Sequence, residues 1–351
     1  MIEYVGLEEA EELDAFVEAH PRGHFMQTSL WGKVKRDWPW TGLILRDGGG
    51  RIRGTVALLR HDMRHIPGCF FYAPRGPVFS DGETFRELIL AASAYARSEG
   101  AYLLRVDPEI PEDDASFGKL ARGMGFLVDR ASDFSLFQPR LCYVLDLEGK
   151  DEKSLEAGYR SSTRRNIHKA LRGPLTMRLG GPDDLPAFCG MMERTGRKNG
   201  FAPRPASYFR DLLCGLGLHA RLYLALYEGK PVAGAIAAFC GRTCSFLYGC
   251  SEEAGEKLHA NELLQWRMQT DAIGTGCDRY DLRGVEGPAD GENPHYGLHN
   301  YKKGFGAGLH AYIGQMDLPL RKSTYRLVGL MTGMRKAMDR MHGRRRGKPF
   351  R

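Results

Sequence analysis

Leu222-Tyr-Leu-Ala-Leu-Tyr, Glu228-Gly-Lys-Pro, Ala233-Gly-Ala-Ile-Ala-Ala-Phe and Phe246-Leu-Tyr-Gly-Cys follow one another in the second half of this 351-residue chain. Apolar runs of strand length, parted by a glycine turn, predict a hairpin and then a third strand. A helical stretch closing on Gly276 and the run Arg279-Tyr-Asp-Leu-Arg-Gly-Val complete the unit. The first half repeats it. Gly42-Leu-Ile-Leu-Arg, Asp47-Gly-Gly-Gly and Gly54-Thr-Val-Ala-Leu-Leu lead to Phe70-Phe-Tyr-Ala-Pro-Arg-Gly, a helix closing on Gly100, and Tyr102-Leu-Leu-Arg-Val-Asp. Tyr72 and Tyr248 are 176 positions apart, and so are Gly100 and Gly276. A period that long marks a duplicated domain, not a solenoid.

Other elements extend outward from this pair. The patterning predicts helices over 8–19, 154–171, 185–196 and 208–216, and one capped by Thr28 or Ser29 that turns Trp31 and Val34 inward. Ser132-Asp-Phe-Ser-Leu-Phe-Gln-Pro, Leu141-Cys-Tyr-Val-Leu-Asp-Leu, Leu175–Leu179 and His310–Met316 read as strands. Gly284 to Pro294 is too rich in Gly, Pro and Asp for regular structure.

Composition is that of an ordinary globular protein long enough for two cores. No apolar run approaches the roughly 20 residues that span a bilayer. The acidic N-terminus lacks the pattern of a secretion signal, so a cytoplasmic location is expected. Eight scattered cysteines without a CxxC pair read as reduced thiols and not as a metal site. The net charge of +7 is unevenly spread. Residues 335–351 hold eight Lys/Arg against Asp339, leaving 42 basic and 42 acidic residues elsewhere. Such a tail suits RNA or an anionic membrane surface, or is a solvated end. Before it, Leu327, Leu330, Met331, Met334, Met338 and Met341 recur at helical spacing among basic residues. That pattern fits a membrane-surface helix or one packed on the core.

Three basic loci are candidate phosphate binders: Lys35 near Trp31, Trp38 and Trp40; Arg204 with Tyr208 one turn later; and Lys302-Lys303 in His299-Asn-Tyr-Lys-Lys-Gly-Phe-Gly. The stretch Tyr159–Arg172 carries five Lys/Arg and no acid, an RNA-facing surface or a plain solvated face. His295 and His299 are candidate proton acceptors or ordinary loop residues.

The order strand, hairpin, helix, strand is similar to the core of the GNAT (acyl-CoA N-acyltransferase) fold. The expected architecture is α/β, with two tandem GNAT-like domains related by internal duplication: 1–147, completed by 315–351, and 148–314. That resemblance also implies a pyrophosphate loop of Gln/Arg, two residues, Gly, one residue, Gly/Ala after the third strand. Neither copy has it. Ala73-Pro-Arg-Gly-Pro follows Tyr72, and Gly249-Cys-Ser-Glu-Glu-Ala follows Tyr248. No cofactor is therefore expected.

Six stretches narrow the resemblance. They are Phe25-Met-Gln-Thr-Ser-Leu-Trp-Gly-Lys-Val-Lys, Tyr72-Ala-Pro-Arg-Gly-Pro-Val, Arg164-Arg-Asn-Ile-His-Lys-Ala, Asn261-Glu-Leu-Leu-Gln-Trp, Tyr280-Asp-Leu-Arg-Gly-Val and Gly297-Leu-His-Asn-Tyr-Lys-Lys-Gly-Phe-Gly. In this order they resemble the FemABX family of peptidoglycan-bridge aminoacyltransferases, in its short type without a coiled-coil arm. The resemblance implies transfer of an amino acid from aminoacyl-tRNA to a side-chain amine of the stem peptide, on lipid II or UDP-MurNAc-pentapeptide. It implies that Lys35 and Arg204 bind precursor phosphates, and that Tyr208, Tyr248 and Asp107 line the stem-peptide cleft, with Tyr72 and Arg75 in the matching motif also set on substrate. Lys302 would sit by the reacting ester. A monomer touching the membrane through its basic tail is expected. A GNAT-fold acyltransferase with another donor, or a non-catalytic RNA-binding module, are the competing readings.

Overall fold

The computed structural model describes residues 1–63 and 68–342, with side chains through 332. Its strands, in chain order, are β1 (Ile2–Val5), β2 (Trp40–Arg46), β3 (Ile52–Asp62), β4 (Cys69–Ala73), β5 (Val78–Phe79), β6 (Ala101–Val106), β7 (Leu127–Asp129), β8 (Leu141–Asp146), β9 (Leu175–Gly180), β10 (Ala220–Tyr227), β11 (Lys230–Cys240), β12 (Thr243–Ser251), β13 (Arg279–Val285), β14 (Gly308–Ala311) and β15 (Gln315–Pro319). They form two sheets in two compact units. Of the described residues, the first unit holds Met1–Ala131, Ser135–Arg140 and 312–342; the second holds Ser132–Phe134 and Leu141–Ala311.

The first sheet runs β1-β2-β3-β4-β6-β15-β7, with β5 paired to β3. The second runs β14-β8-β13-β12-β11-β10-β9. In each, a three-strand antiparallel meander is followed by a helix and then a parallel strand: β2-β3-β4 to β6, and β10-β11-β12 to β13. A parallel neighbour needs a crossover, and the helices Gly82–Ser98 and Ala260–Gly274 supply it. The first is capped by Asp81, which accepts from the Thr84 N–H at 2.8 Å. Its buried Phe85, Leu88, Ile89, Ala92 and Ala96 return every three or four residues, so one face covers the sheet. Both helices end before glycines of positive φ, +78° at Gly100 and +79° at Gly276.

Four elements differ from the sequence reading. Residues 132–139 form turns and bends, not a strand. Their aromatics anchor a loop instead, with the Phe137 ring centre 5.0 Å from that of Tyr72. Leu141–Asp146, expected in the first domain, pairs with β13 and β14 in the second sheet. Apolar alternation identifies a strand without naming its partner. The run 310–316 is split at Gly314, whose φ of +101° ends β14's course before β15 begins. The chain rejoins the first unit at Tyr312, where Tyr312 donates to the Arg140 carbonyl and Ile313 to that of Ile110. Finally, 154–171 is two helices, Glu152–Ala157 and Ser161–Arg172. The break lets Gly306 approach so closely that a Cβ there would lie 2.6 Å from the Gly158 carbonyl oxygen.

Two quoted motifs interlock in the first unit. Buried Gln27 donates to the carbonyls of Pro74 and Ala57 and accepts from the Ala57 N–H at 3.0 Å. Its amide fills the space a Cβ on Gly76 would need. Gln27→Ala leaves these backbone groups unpaired and should cost about 1–3 kcal/mol of stability, read as a lower denaturant midpoint with unchanged slope.

Candidate functional site

The first unit buries a carboxylate just past the end of β6. Asp107 accepts from the Tyr72 hydroxyl at 2.6 Å and from the Arg75 N–H at 2.6 Å. Arg75 is a non-glycine residue at φ +57°, a conformation that costs energy and turns its N–H toward the carboxylate. Its guanidinium is buried too: it donates to the Pro139 carbonyl at 2.9 Å, pairs with Glu109 at 3.5 Å and lies over the Tyr312 ring. Burial pushes the Asp107 carboxyl up to about 6, against the pull of Arg75 and the Tyr72 hydrogen bond. The same burial, with Asp107 beside it, drives the Tyr72 phenol far above its ordinary value. The sequence-predicted residues Tyr72, Arg75 and Asp107 are thus in mutual contact. Lys35 is carried by a different element, ending the helix Ser29–Val34 with Nζ 5.1 Å from the Trp31 ring centre.

The second unit gathers cations and phenols. The helix Ala206–Leu216 presents Tyr208, whose hydroxyl accepts from Tyr248 of β12 at 3.2 Å. The Arg204 guanidinium lies over the Tyr208 ring at 5.1 Å. Its Nε is buried and, among the described residues, has no hydrogen-bond partner. Desolvation holds the Tyr208 phenol well above its ordinary value, while Arg204 and Arg283 oppose the rise.

Arg283 connects this group to Lys302. It sits in a bulge of β13 where pairing with β8 shifts between Asp281 and Gly284, and its φ is +64°. The bulge aims two successive carbonyls at the helix Tyr296–Lys303. Lys302 donates to Arg283 O at 3.0 Å and Gly284 O at 2.7 Å, with only 4% of its surface exposed. An ammonium has three N–H donors, and the carbonyls take two of them. Burial lowers its pKa to about 8. Parallel pairing of β12 and β13 stops at Ser245–Asp281, so Tyr248 and Arg283 both lie beyond the last paired rung.

Sequence reasoning missed Glu109, Asp281 and Arg283, which matter here through long-range partners. Asp281 accepts from the Arg283 N–H at 2.7 Å and pairs with its guanidinium at 3.5 Å. The histidines separate. His299 is buried, within reach of the Tyr143 hydroxyl and the Glu286 carbonyl; His295 is exposed, 3.7 Å from Glu286. The loop 286–295 borders a cavity of about 500 Å³ lined by Asp133, Glu286, Asp290 and Glu292 among others, too acidic for a phosphate. A separate groove of about 560 Å³ follows the helix Ser161–Arg172 and is lined by Ser161, Arg164, Arg165, His168, Lys169 and Arg172. Its cations Arg165, Lys169 and Arg172 are exposed. Among the described residues no His/Cys/Asp/Glu group is arranged to hold a metal.

Comparison with known proteins bears on both units. The FemAB family model matches residues 9–120, and an acetyltransferase (GNAT) domain model matches 157–303. A lipid II:glycine glycyltransferase of Staphylococcus aureus (strain bovine RF122 / ET3-1) is 25% identical over 395 aligned positions, covering 91% of this chain and 93% of that protein. The crystal structure of FemX superposes with a TM-score of 0.86 at 22% identity, covering 93% of this chain and 99% of FemX. A tandem GNAT protein from the clavulanic acid biosynthesis pathway superposes at 0.54 with 14% identity, over 91% and 99%. The fold is therefore two-domain α/β and GNAT-like.

The raised carboxyl has a consequence for stability. A folded-state pKa of about 6 lies above the unfolded value, so the contribution of Asp107 is full below about pH 4 and is lost as pH rises through 6. The stability difference between the wild type and Asp107→Asn should shift against the wild type across pH 4–7, by up to about 3 kcal/mol. Paired melting curves at several pH values check this.

Proposed function

The chain belongs to the FemABX family, and from that premise we propose that this transferase moves an amino acid from aminoacyl-tRNA to a side-chain amine of the peptidoglycan stem peptide, carried on lipid II or its UDP-linked precursor. The observation that carries the reading is Lys302, a buried ammonium fixed on two carbonyls with one N–H to spare. Aminolysis of an ester builds negative charge on the carbonyl oxygen, and a preorganised cation in a water-poor site stabilises it. The acceptor nitrogen forms the new C–N bond. The ester C–O bond breaks, and the proton shed by nitrogen ends on the departing ribose oxygen. The ester is already activated, so the step needs orientation more than a strong base.

Other groups fit the remaining roles. Within the second unit the unpaired Nε of Arg204 suits a phosphate oxygen; within the first, taken by itself, the ammonium of Lys35 suits one. In the first unit Asp107, held by Tyr72 and Arg75, suits a cationic or amide group of a peptide; in the second, Tyr208 with Tyr248 offers paired hydroxyls suited to a peptide backbone. The basic groove along Ser161–Arg172 suits RNA phosphates. A coenzyme A donor fits poorly. The Arg75 N–H, which a pyrophosphate would need, is spent on Asp107. In the second unit the helix Glu253–Lys257 opens with Glu252 and Glu253, and Arg194 and Lys257 already pair with them. The reaction is proposed for the cytoplasm, where charged tRNA is found; among the described residues no helix is long and apolar enough to cross a membrane.

The test is transfer from charged tRNA pools to lipid II and to the UDP-linked precursor, read by mass spectrometry, with acetyl-coenzyme A as a control donor. Product with tRNA alone is expected; product with coenzyme A alone overturns the reading. Lys302→Met should lower kcat by at least about a hundredfold. Because the useful form is the ammonium, the ratio of wild-type kcat to that of Lys302→Met should fall as pH rises through about 8, the acceptor amine's own titration cancelling in the ratio. Reversing Arg165, Lys169 and Arg172 to Glu should raise KM for tRNA and flatten its salt dependence, with kcat at saturating tRNA kept.

A further inference from the structure

The helix Lys322–His342 closes the described chain, and its two sides are unlike. Tyr325 and Val328 turn inward onto the small cluster of Phe70, Tyr72, Tyr102 and Leu103. The Tyr325 hydroxyl donates to Asp317 at 3.1 Å, and Asp317 also takes both nitrogens of the Arg105 fork, at 2.6 and 2.7 Å. That anchor fixes the helix's rotation. It leaves Leu327, Leu330 and Met331 outward, 51, 67 and 41% exposed. Positions i, i+3 and i+4 are neighbours on a helix, so the three make one apolar patch. Exposed Lys322 and Arg326 flank it. Along the sequence the spacing continues through Met334, Met338 and Met341, and the eight Lys/Arg of 335–351 face one acid. The basic residues from 343 onward lie outside the described residues.

We propose that this helix is an in-plane anchor that lays Leu327, Leu330 and Met331 into the interface of an anionic bilayer while Lys322 and Arg326 meet its headgroups. An apolar stripe edged by Lys and Arg is the composition of an interfacial helix, and a negatively charged leaflet attracts the basic segment beside it. A second copy of the chain fits worse as the occupant. Three exposed apolar side chains, Leu327, Leu330 and Met331, are far short of the roughly 800 Å² that each partner buries in a stable interface. RNA would meet the cations but leave the apolar patch in water. The inference goes beyond the transfer reaction and does not depend on it.

The test is co-sedimentation of the full chain with vesicles of phosphatidylcholine alone and of phosphatidylcholine with phosphatidylglycerol. Binding to the anionic vesicles is expected, weaker by about tenfold on the neutral ones and falling with salt. The triple variant Leu327→Gln, Leu330→Gln and Met331→Gln should lose at least about tenfold in vesicle affinity with an unchanged melting temperature, since these side chains are exposed. Undiminished binding by the variant overturns the proposal. So does an absence of vesicle binding, whether accompanied by RNA binding or by a concentration-dependent dimer that the variant abolishes.

Discussion

The bulge at Arg283 is the constraint on which the burial of Lys302 in the second unit depends. A regular strand would direct successive carbonyls to opposite neighbours and leave no pair for an ammonium. Here the register shift and the positive φ of Arg283 bring two consecutive carbonyls to bear on Lys302. Burying a lysine costs free energy because the charged form loses water, and the lowered pKa records that cost. The two carbonyl contacts offset part of it. Asp281 stabilises the charge and also holds the Arg283 N–H and guanidinium, so one carboxylate serves both the bulge and the cation. Backbone strain of this kind persists only where its surroundings over-determine it.

The first unit uses the same device with the opposite charge. Arg75 is likewise strained, and its backbone N–H is what the strain delivers to Asp107. There the price of burial falls on a carboxylate and raises its pKa. Gln27 holds the turn from behind, which ties the motif at 25–35 to the motif at 72–78. These two stretches stand out in the sequence for this reason: each is shaped to the other.

Much of the fold was legible because duplication doubles the signal. A hairpin, a tyrosine-ended strand and a helix stopping at glycine are weak singly, but their recurrence at a fixed offset predicted the meander, helix and parallel strand at the centre of both sheets. Local patterns failed where the outcome depended on distant partners. Leu141–Asp146 reads as a strand in any context, and its membership in the second sheet is set by Tyr280 and Asp281 across the pair. Residues 134–137 have strand-like composition, yet Phe137 is consumed in the cluster around Tyr72 and Trp38. The site was legible in part for the same reason. Tyr72, Arg75 and Asp107 lie in or beside recurring strands, whereas Arg283 acts through its backbone, which no side-chain pattern announces. Arg204 precedes a helix with no repeated counterpart.

The duplication also explains why one chain carries both charges. Asp107 lies seven residues after Gly100, and Arg283 lies seven after Gly276. Asp107 lies just past the end of β6, and Arg283 sits in the bulge near the end of β13, so the shared offset in sequence places both close to the end of the parallel strand of their own unit. Two residues earlier the charges are exchanged as well, Arg105 in one unit and Asp281 in the other. Arg105 is neutralised by Asp317 of β15, and Asp281 by Arg283 within its own strand. In the first unit the inner arginine is taken by a third strand, and the carboxylate of Asp107 at the strand end is held by Tyr72 and the Arg75 N–H. In the second unit the inner carboxylate is taken by Arg283 and lies in the field of Lys302. The duplicated scaffold thereby carries opposite charges near the ends of its two parallel strands, through an exchange at two positions two residues apart.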